Sequence, residues 1–142
     1  MIVLDASVWV SSLQNRDVNH FVSRQWTTEW LDAGHKMVVP TLFLSEVGGA
    51  VARPPRDSAL GRRVVADIIG DPAFTLVALD QALAEAAANH ASDLFLRGAD
   101  AVYVALAEQL AIPLVTWDQE QLSRAATLVD VRTPTTSLRT QI

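Results

Sequence analysis

Short apolar runs alternate with longer amphipathic stretches along almost the whole chain, and this rhythm most restricts what it can fold into. Five runs read as strands: residues 1–5, Met37 to Val39, Phe74 to Leu79, Ile112 to Thr116 and Leu128 to Val131. Between them lie stretches that read as helices, over about 7–13, 19–33, 41–53, 57–69, 81–96, 100–110 and from Asp118 to about Ala125. Gly34, Pro54-Pro55, Gly70-Asp71-Pro72 and Gly98 mark their ends, because proline lacks an amide donor and glycine favours helix stops. No two-residue hairpin signal such as Asn-Gly joins any pair of strands. Strands separated by helices pair in parallel, since a parallel pair needs a long crossover. The expectation is an α/β three-layer sandwich, with a mostly parallel central sheet of about five strands covered on both faces. Repeats and long linkers are absent, so residues 1–142 read as a single domain, with a polar, loosely held tail after Pro134.

Composition narrows the chemistry. The chain has 142 residues, half of them hydrophobic, and no cysteine, which excludes thiolate ligands, disulfides and a cysteine nucleophile. Its start, Met-Ile-Val-Leu-Asp, has no basic n-region, and no apolar run approaches the roughly 20 residues that cross a bilayer. A cytoplasmic protein with no membrane contact is expected. The formal net charge is -5 and Lys36 is the only lysine, so broad nucleic-acid binding through phosphate neutralisation is disfavoured unless cations offset the acids locally.

Four acids stand out by position. Asp5 closes Ile2-Val3-Leu4 and Asp118 follows Leu114-Val115-Thr116, so both sit at strand ends, where parallel sheets form their sites. Glu46 and Asp100 interrupt helical surface that should pack inward, Glu46 among Leu42, Phe43 and Val47 and Asp100 ahead of Ala-Val-Tyr-Val. Each has an ordinary explanation as well: Asp5, Asp100 and Asp118 as helix N-caps, Glu46 as a solvated side chain. Together they point elsewhere, because unpaired buried carboxylates cost several kcal/mol each and a cluster needs a cation. Hard oxygen donors without histidine or cysteine suit Mg²⁺ or Mn²⁺ better than Zn²⁺.

Val3-Leu4-Asp5-Ala6-Ser7-Val8 resembles the opening motif of PIN-domain nucleases, and Leu44-Ser45-Glu46-Val47 their second acidic motif. Leu96-Arg97-Gly98-Ala99-Asp100-Ala101 and Leu114-Val115-Thr116-Trp117-Asp118 are similar to the third and fourth. Order, spacing and length resemble VapC-type toxins of toxin–antitoxin pairs. The resemblance implies a PIN-like fold in which Asp5, Glu46, Asp100 and Asp118 are catalytic and hold one or two Mg²⁺ or Mn²⁺ ions. Ser7 and Thr116 would support them with hydroxyls that bind the carboxylates or a metal-bound water. It also implies hydrolysis of RNA phosphodiester bonds by an activated water, a small VapB-like antitoxin protein as partner, and a homodimer.

Other residues have weaker expectations. Arg53 and Arg97, with Arg56, Arg62 and Arg63, are candidate RNA phosphate contacts, although each also fits a solvated helix face. Adjacent Arg62 and Arg63 cannot both face one way on a helix. Trp26 and Trp30 share a helical face and are expected in the core or at an interface, with an interface preferred over base stacking. Asp93 is expected at the surface, and His20, His35 and His90 lack any paired spacing.

Competing readings fail on named residues. A haloacid-dehalogenase-like phosphatase needs a second aspartate where Ser7 stands, and both it and a receiver domain need a late lysine. A dinucleotide-binding domain needs glycines after the first strand, where Asp5-Ala6-Ser7-Val8 has none. A non-toxin RNA-processing nuclease and a catalytically inert PIN-like binding module remain as alternatives.

Overall fold

The computed structural model describes residues 1–135. In chain order it contains β1 (Ile2–Leu4), α1 (Ala6–Leu13), α2 (His20–Asp32), β2 (Met37–Pro40), α3 (Leu42–Ala52) and α4 (Ser58–Gly70). There follow β3 (Phe74–Val77), α5 (Gln81–Leu94), α6 (Gly98–Leu110), β4 (Leu114–Val115), α7 (Gln119–Arg124) and β5 (Val131–Arg132). The strands form one sheet in the order β3-β2-β1-β4-β5, and every pairing is parallel. The expected three-layer α/β architecture is therefore found.

β1 lies at the centre, with Val3 opposite Val38 on one side and Leu114 on the other. Ile2, Val3 and Leu4 are all buried, as a strand covered on both faces requires. From β1 the chain steps outward through β2 to β3, then crosses back over the sheet to β4. Right-handed crossovers put α1–α4 on one face and α5–α7 on the other. The packing follows this division: α1 meets α2 and α3, α3 meets α4, and α5 lies along α6, which covers β1, β2 and β4. Between α3 and α4 the backbones nearly touch. A Cβ on Gly61 would stand 2.8 Å from the Ala52 Cβ and 2.9 Å from the Gly48 carbonyl oxygen.

Several boundaries differ from the sequence expectation. Gly98 does not end a helix but begins α6; the break is Phe95, which adopts left-handed backbone angles, φ 55° and ψ 40°. β5 starts later than expected because Leu128 and Val129 donate their amides to the Ala125 carbonyl in a turn that closes α7. Trp26 and Trp30 are core, not interface. Both are buried and stacked with ring centroids 5.3 Å apart, and the Trp30 indole N–H donates to the Lys36 carbonyl. The part of the expected polar tail beyond residue 135 lies outside the described residues. Among the described residues no helix is long and apolar enough to cross a membrane.

Candidate active site

The chain leaves β1 toward one face and leaves β4, its neighbour, toward the other, so a crevice opens beyond their carboxyl ends. Asp5 stands at the end of β1, in the N-cap position of α1, yet its side chain makes no capping hydrogen bond. Instead Oδ2 accepts from the Ser7 hydroxyl at 2.5 Å and from the Thr116 hydroxyl at 2.8 Å. Those hydroxyls are themselves aimed, because the Thr116 oxygen accepts from the Asp118 amide and the Ser7 oxygen from the Trp117 amide. The other Asp5 oxygen, Oδ1, takes no hydrogen bond among the described residues.

Asp118 does cap α7, its Oδ1 accepting from the Gln121 amide at 2.8 Å, so the capping explanation holds for it while Oδ2 takes no part in the cap. Asp100 lies in the first turn of α6, after the Arg97 N-cap. A single guanidinium joins the two: Arg97 donates from Nε to Asp100 Oδ2 at 2.8 Å and from Nη2 to Asp118 Oδ2 at 2.9 Å. Gln121 Nε2 holds the second Asp100 oxygen at 3.2 Å. Glu46, midway along α3, is half-buried rather than buried. Its Oε1 accepts from the Tyr103 hydroxyl at 2.5 Å. Tyr103 stands three residues after Asp100 on α6, hence on the same helical face.

The electrostatics of this arrangement are uniform in sign. Burial raises the Asp5 carboxyl above its ordinary range, against the two hydroxyl hydrogen bonds, and the charges of Asp100 and Asp118 raise it further. Burial also raises Glu46, with Asp5 and Asp100 adding repulsion, and it raises Asp100, where Asp118 adds to the effect. The buried Tyr103 hydroxyl is pushed far up by burial and by Asp5 and Glu46, so it stays a donor. Carboxylates that feel one another in this way share one low-dielectric space, and Arg97, whose side chain is 72% exposed, is the cation that joins two of them.

The donor set fits a hard divalent cation. All four acids offer oxygen, Asp5 Oδ1 is unengaged, Glu46 uses only one oxygen, and the Gln121 Oε1 acceptor is buried with no partner among the described residues. With Arg97 between Asp100 and Asp118, no three of these side chains converge into a ready metal cage among the described residues. Two residues of the crevice, Tyr103 and Gln121, carry no expectation from the sequence, and Arg97, a candidate phosphate contact, engages two of the acids here. The usable signal was spacing: Tyr103 and Gln121 each follow a site aspartate by three residues.

The remaining candidates lie further out. Arg53 borders an open cavity of about 420 Å³ together with Ser7, Ser45 and Glu46, on the α3 side of the crevice. Arg56, Arg62, Arg63 and Asp93 are exposed. His20 is buried and bonded to the Ser11 carbonyl, His35 packs on Trp30, and His90 pairs with Glu108.

The PIN domain family matches residues 2–128. The chain belongs to that family. Among solved structures it resembles the Mycobacterium tuberculosis VapC20, a sarcin–ricin-loop cleaving toxin, with 19% identity, a TM-score of 0.75, and coverage of 93% of this chain and 99% of that one. It resembles a toxin–antitoxin complex from Klebsiella pneumoniae at 17% identity and a TM-score of 0.69, covering 94% and 98%. It also resembles PAE2754 from Pyrobaculum aerophilum at 23% identity and a TM-score of 0.69, covering 98% and 93%. No curated protein matches the sequence. In this PIN domain the four acids come from four different places in the chain, with Asp5 and Asp118 following β1 and β4 at the switch point of the sheet.

Proposed function

We propose that this PIN domain is a divalent-metal-dependent endoribonuclease that serves as the toxin of a toxin–antitoxin pair. The observation that carries the reading is the crevice itself: mutually repelling carboxylates, Asp5, Glu46, Asp100 and Asp118, balanced there by one exposed guanidinium. A structural cluster would not retain that repulsion, whereas a site that binds Mg²⁺ or Mn²⁺ needs it. Two proteins of similar fold, a sarcin–ricin-loop cleaving toxin and a toxin–antitoxin complex, support the toxin role.

Asp5, Glu46, Asp100 and Asp118 would hold the metal, which supplies an activated water and a counter-charge for the phosphate. Ser7 and Thr116 hold the Asp5 carboxylate through Oδ2, which leaves Oδ1 without a hydrogen bond among the described residues. Tyr103 holds Glu46 and Gln121 holds Asp100, so each acid has a fixed partner on its non-reacting side. Arg97, which pairs with Asp100 and Asp118, and Arg53 at the α3 side of the crevice would offer their guanidinium groups to phosphate at the rim. The protein acts in the cytoplasm as a homodimer held inactive by a small antitoxin. Incubating purified protein with total RNA tests this. Discrete cuts in Mg²⁺ or Mn²⁺ and none in EDTA are expected, and intact RNA in every metal would leave the inert binding module as the better reading.

A further inference from the structure

The geometry points to Phe95 as a base-stacking platform at the rim of the site, a substrate contact that rests on the nuclease reading above. Phe95 is 79% exposed, although a phenyl ring gains by burial. Its backbone is left-handed, φ 55° and ψ 40°, at a helix end where glycine is the usual residue and a bulky side chain is disfavoured. The fold therefore has no use for this ring, and would form more easily without it. Such a strained residue persists only where its surroundings hold it. Here they do: the Phe95 amide bonds the Ala91 carbonyl, its carbonyl accepts from Arg124 of α7, and the next residue, Leu96, is buried as an anchor.

The location fits a nucleotide. Phe95 is two residues from Arg97, so their Cα atoms are at most about 7 Å apart. Arg97 bridges Asp100 and Asp118, and α7, which fixes the Phe95 carbonyl, is capped by that same Asp118. A phosphate at the acids would leave an adjoining base within reach of the ring, and every base offers a face for stacking. The surroundings do not fit a protein interface, which needs a contiguous apolar patch. Ser92, Asp93, Arg97, Gly98 and Ala99, its neighbours along the chain, are exposed and polar or small, while Val18 and Phe21, also strongly exposed, belong to the α1–α2 region.

The test compares Phe95→Gly, Phe95→Leu and Phe95→Trp with the wild type, by cleavage of total RNA at subsaturating concentration in Mn²⁺ and by thermal melting. Loss of stacking should slow the glycine and leucine variants roughly 5- to 150-fold, with tryptophan near wild type. The glycine variant should also melt at a temperature no lower than wild type, which separates lost contact from lost fold. Cleavage by Phe95→Gly at the wild-type rate, or equal rates for leucine and tryptophan, would overturn the proposal. So would an altered oligomeric state with unchanged cleavage, which would make Phe95 a protein contact. A wild type that cuts no RNA fails before any variant is compared, and overturns the nuclease reading and this one together.

Discussion

Replacing Asp5 with asparagine should make the metal-free protein more stable, although Asp5 is buried and doubly hydrogen-bonded. Asp5 is only 5% exposed, and burial is the largest influence on its carboxyl. Ser7 and Thr116 favour the charged form, but the outcome is still a raised carboxyl, so the site as a whole opposes the charge. Asparagine keeps the shape, and its amide oxygen can accept both hydroxyls in place of Oδ2. Two charge-assisted bonds become neutral ones, at a cost of about 1 kcal/mol, while relief of the buried charge and its repulsion from Asp100 and Asp118 returns about 2–3 kcal/mol. A net gain of about 1–2 kcal/mol corresponds to roughly 3–8 °C in Tm for a chain of this size. Metal should reverse the order. An ion at about 100 times its Kd stabilises the wild type by about 2.7 kcal/mol, and the variant, lacking a ligand, gains little. Calorimetric melting in EDTA and in Mn²⁺ reads both effects. An Asp5→Asn protein that melts below wild type in EDTA would refute the reasoning, because the acid would then be a structural asset.

The same electrostatics set a pH dependence. Asp5, Glu46 and Asp100 have carboxyls raised above their ordinary values of 3.8 and 4.5, so the folded state holds protons that the unfolded chain has released. Their contribution to stability is complete below those values and is lost as pH rises through the raised range; melting in EDTA should show that decline, and Asp5→Asn should flatten it. Metal affinity should rise over the same window, which a titration of Mn²⁺ at stepped pH would follow. Tyr103→Phe removes the donor that holds Glu46 and should cost about 1 kcal/mol, or roughly 3–5 °C, while raising the Mn²⁺ concentration needed for cleavage. A variant unchanged in both would show that the hydroxyl positions nothing. Gly61→Ala gains up to about 1 kcal/mol of helix propensity but drives a methyl into the Gly48 carbonyl and Ala52, where overpacking costs about 1–3 kcal/mol. A net loss of about 1–2 kcal/mol by urea denaturation is expected.

Much of the fold and the four acids were legible in the sequence, because each leaves a mark that physics makes hard to mistake. A parallel strand buried on both faces must be a continuous apolar run, as Ile2-Val3-Leu4 is, and a carboxylate at its end contradicts that apolar context. What was not legible was partnership. Tyr103 sits in an apolar helix and is a core residue by every local sign, yet its hydroxyl meets Glu46, 57 residues away. Arg97 has the profile of a free basic residue until the fold brings Asp118 beside Asp100. Trp26 and Trp30 lie on one stripe whether that stripe meets a partner or the chain's own core, and the packing of α1 and α2 decided for the core. Phe95 carries no helix-stop signal because glycine or asparagine is the residue expected there, so the end of α5 was misplaced.

The most direct test of the central claim is cleavage of total RNA in Mn²⁺ by the wild type and by Asp5→Asn, Glu46→Gln, Asp100→Asn and Asp118→Asn, each first confirmed folded by its melting transition. The account predicts discrete, EDTA-sensitive cuts by the wild type and a loss of about 100-fold or more in each variant, the scale on which removing one preorganised catalytic contact acts. Full cleavage by any well-folded variant would remove that acid from the site, and full cleavage by all four would contradict the account.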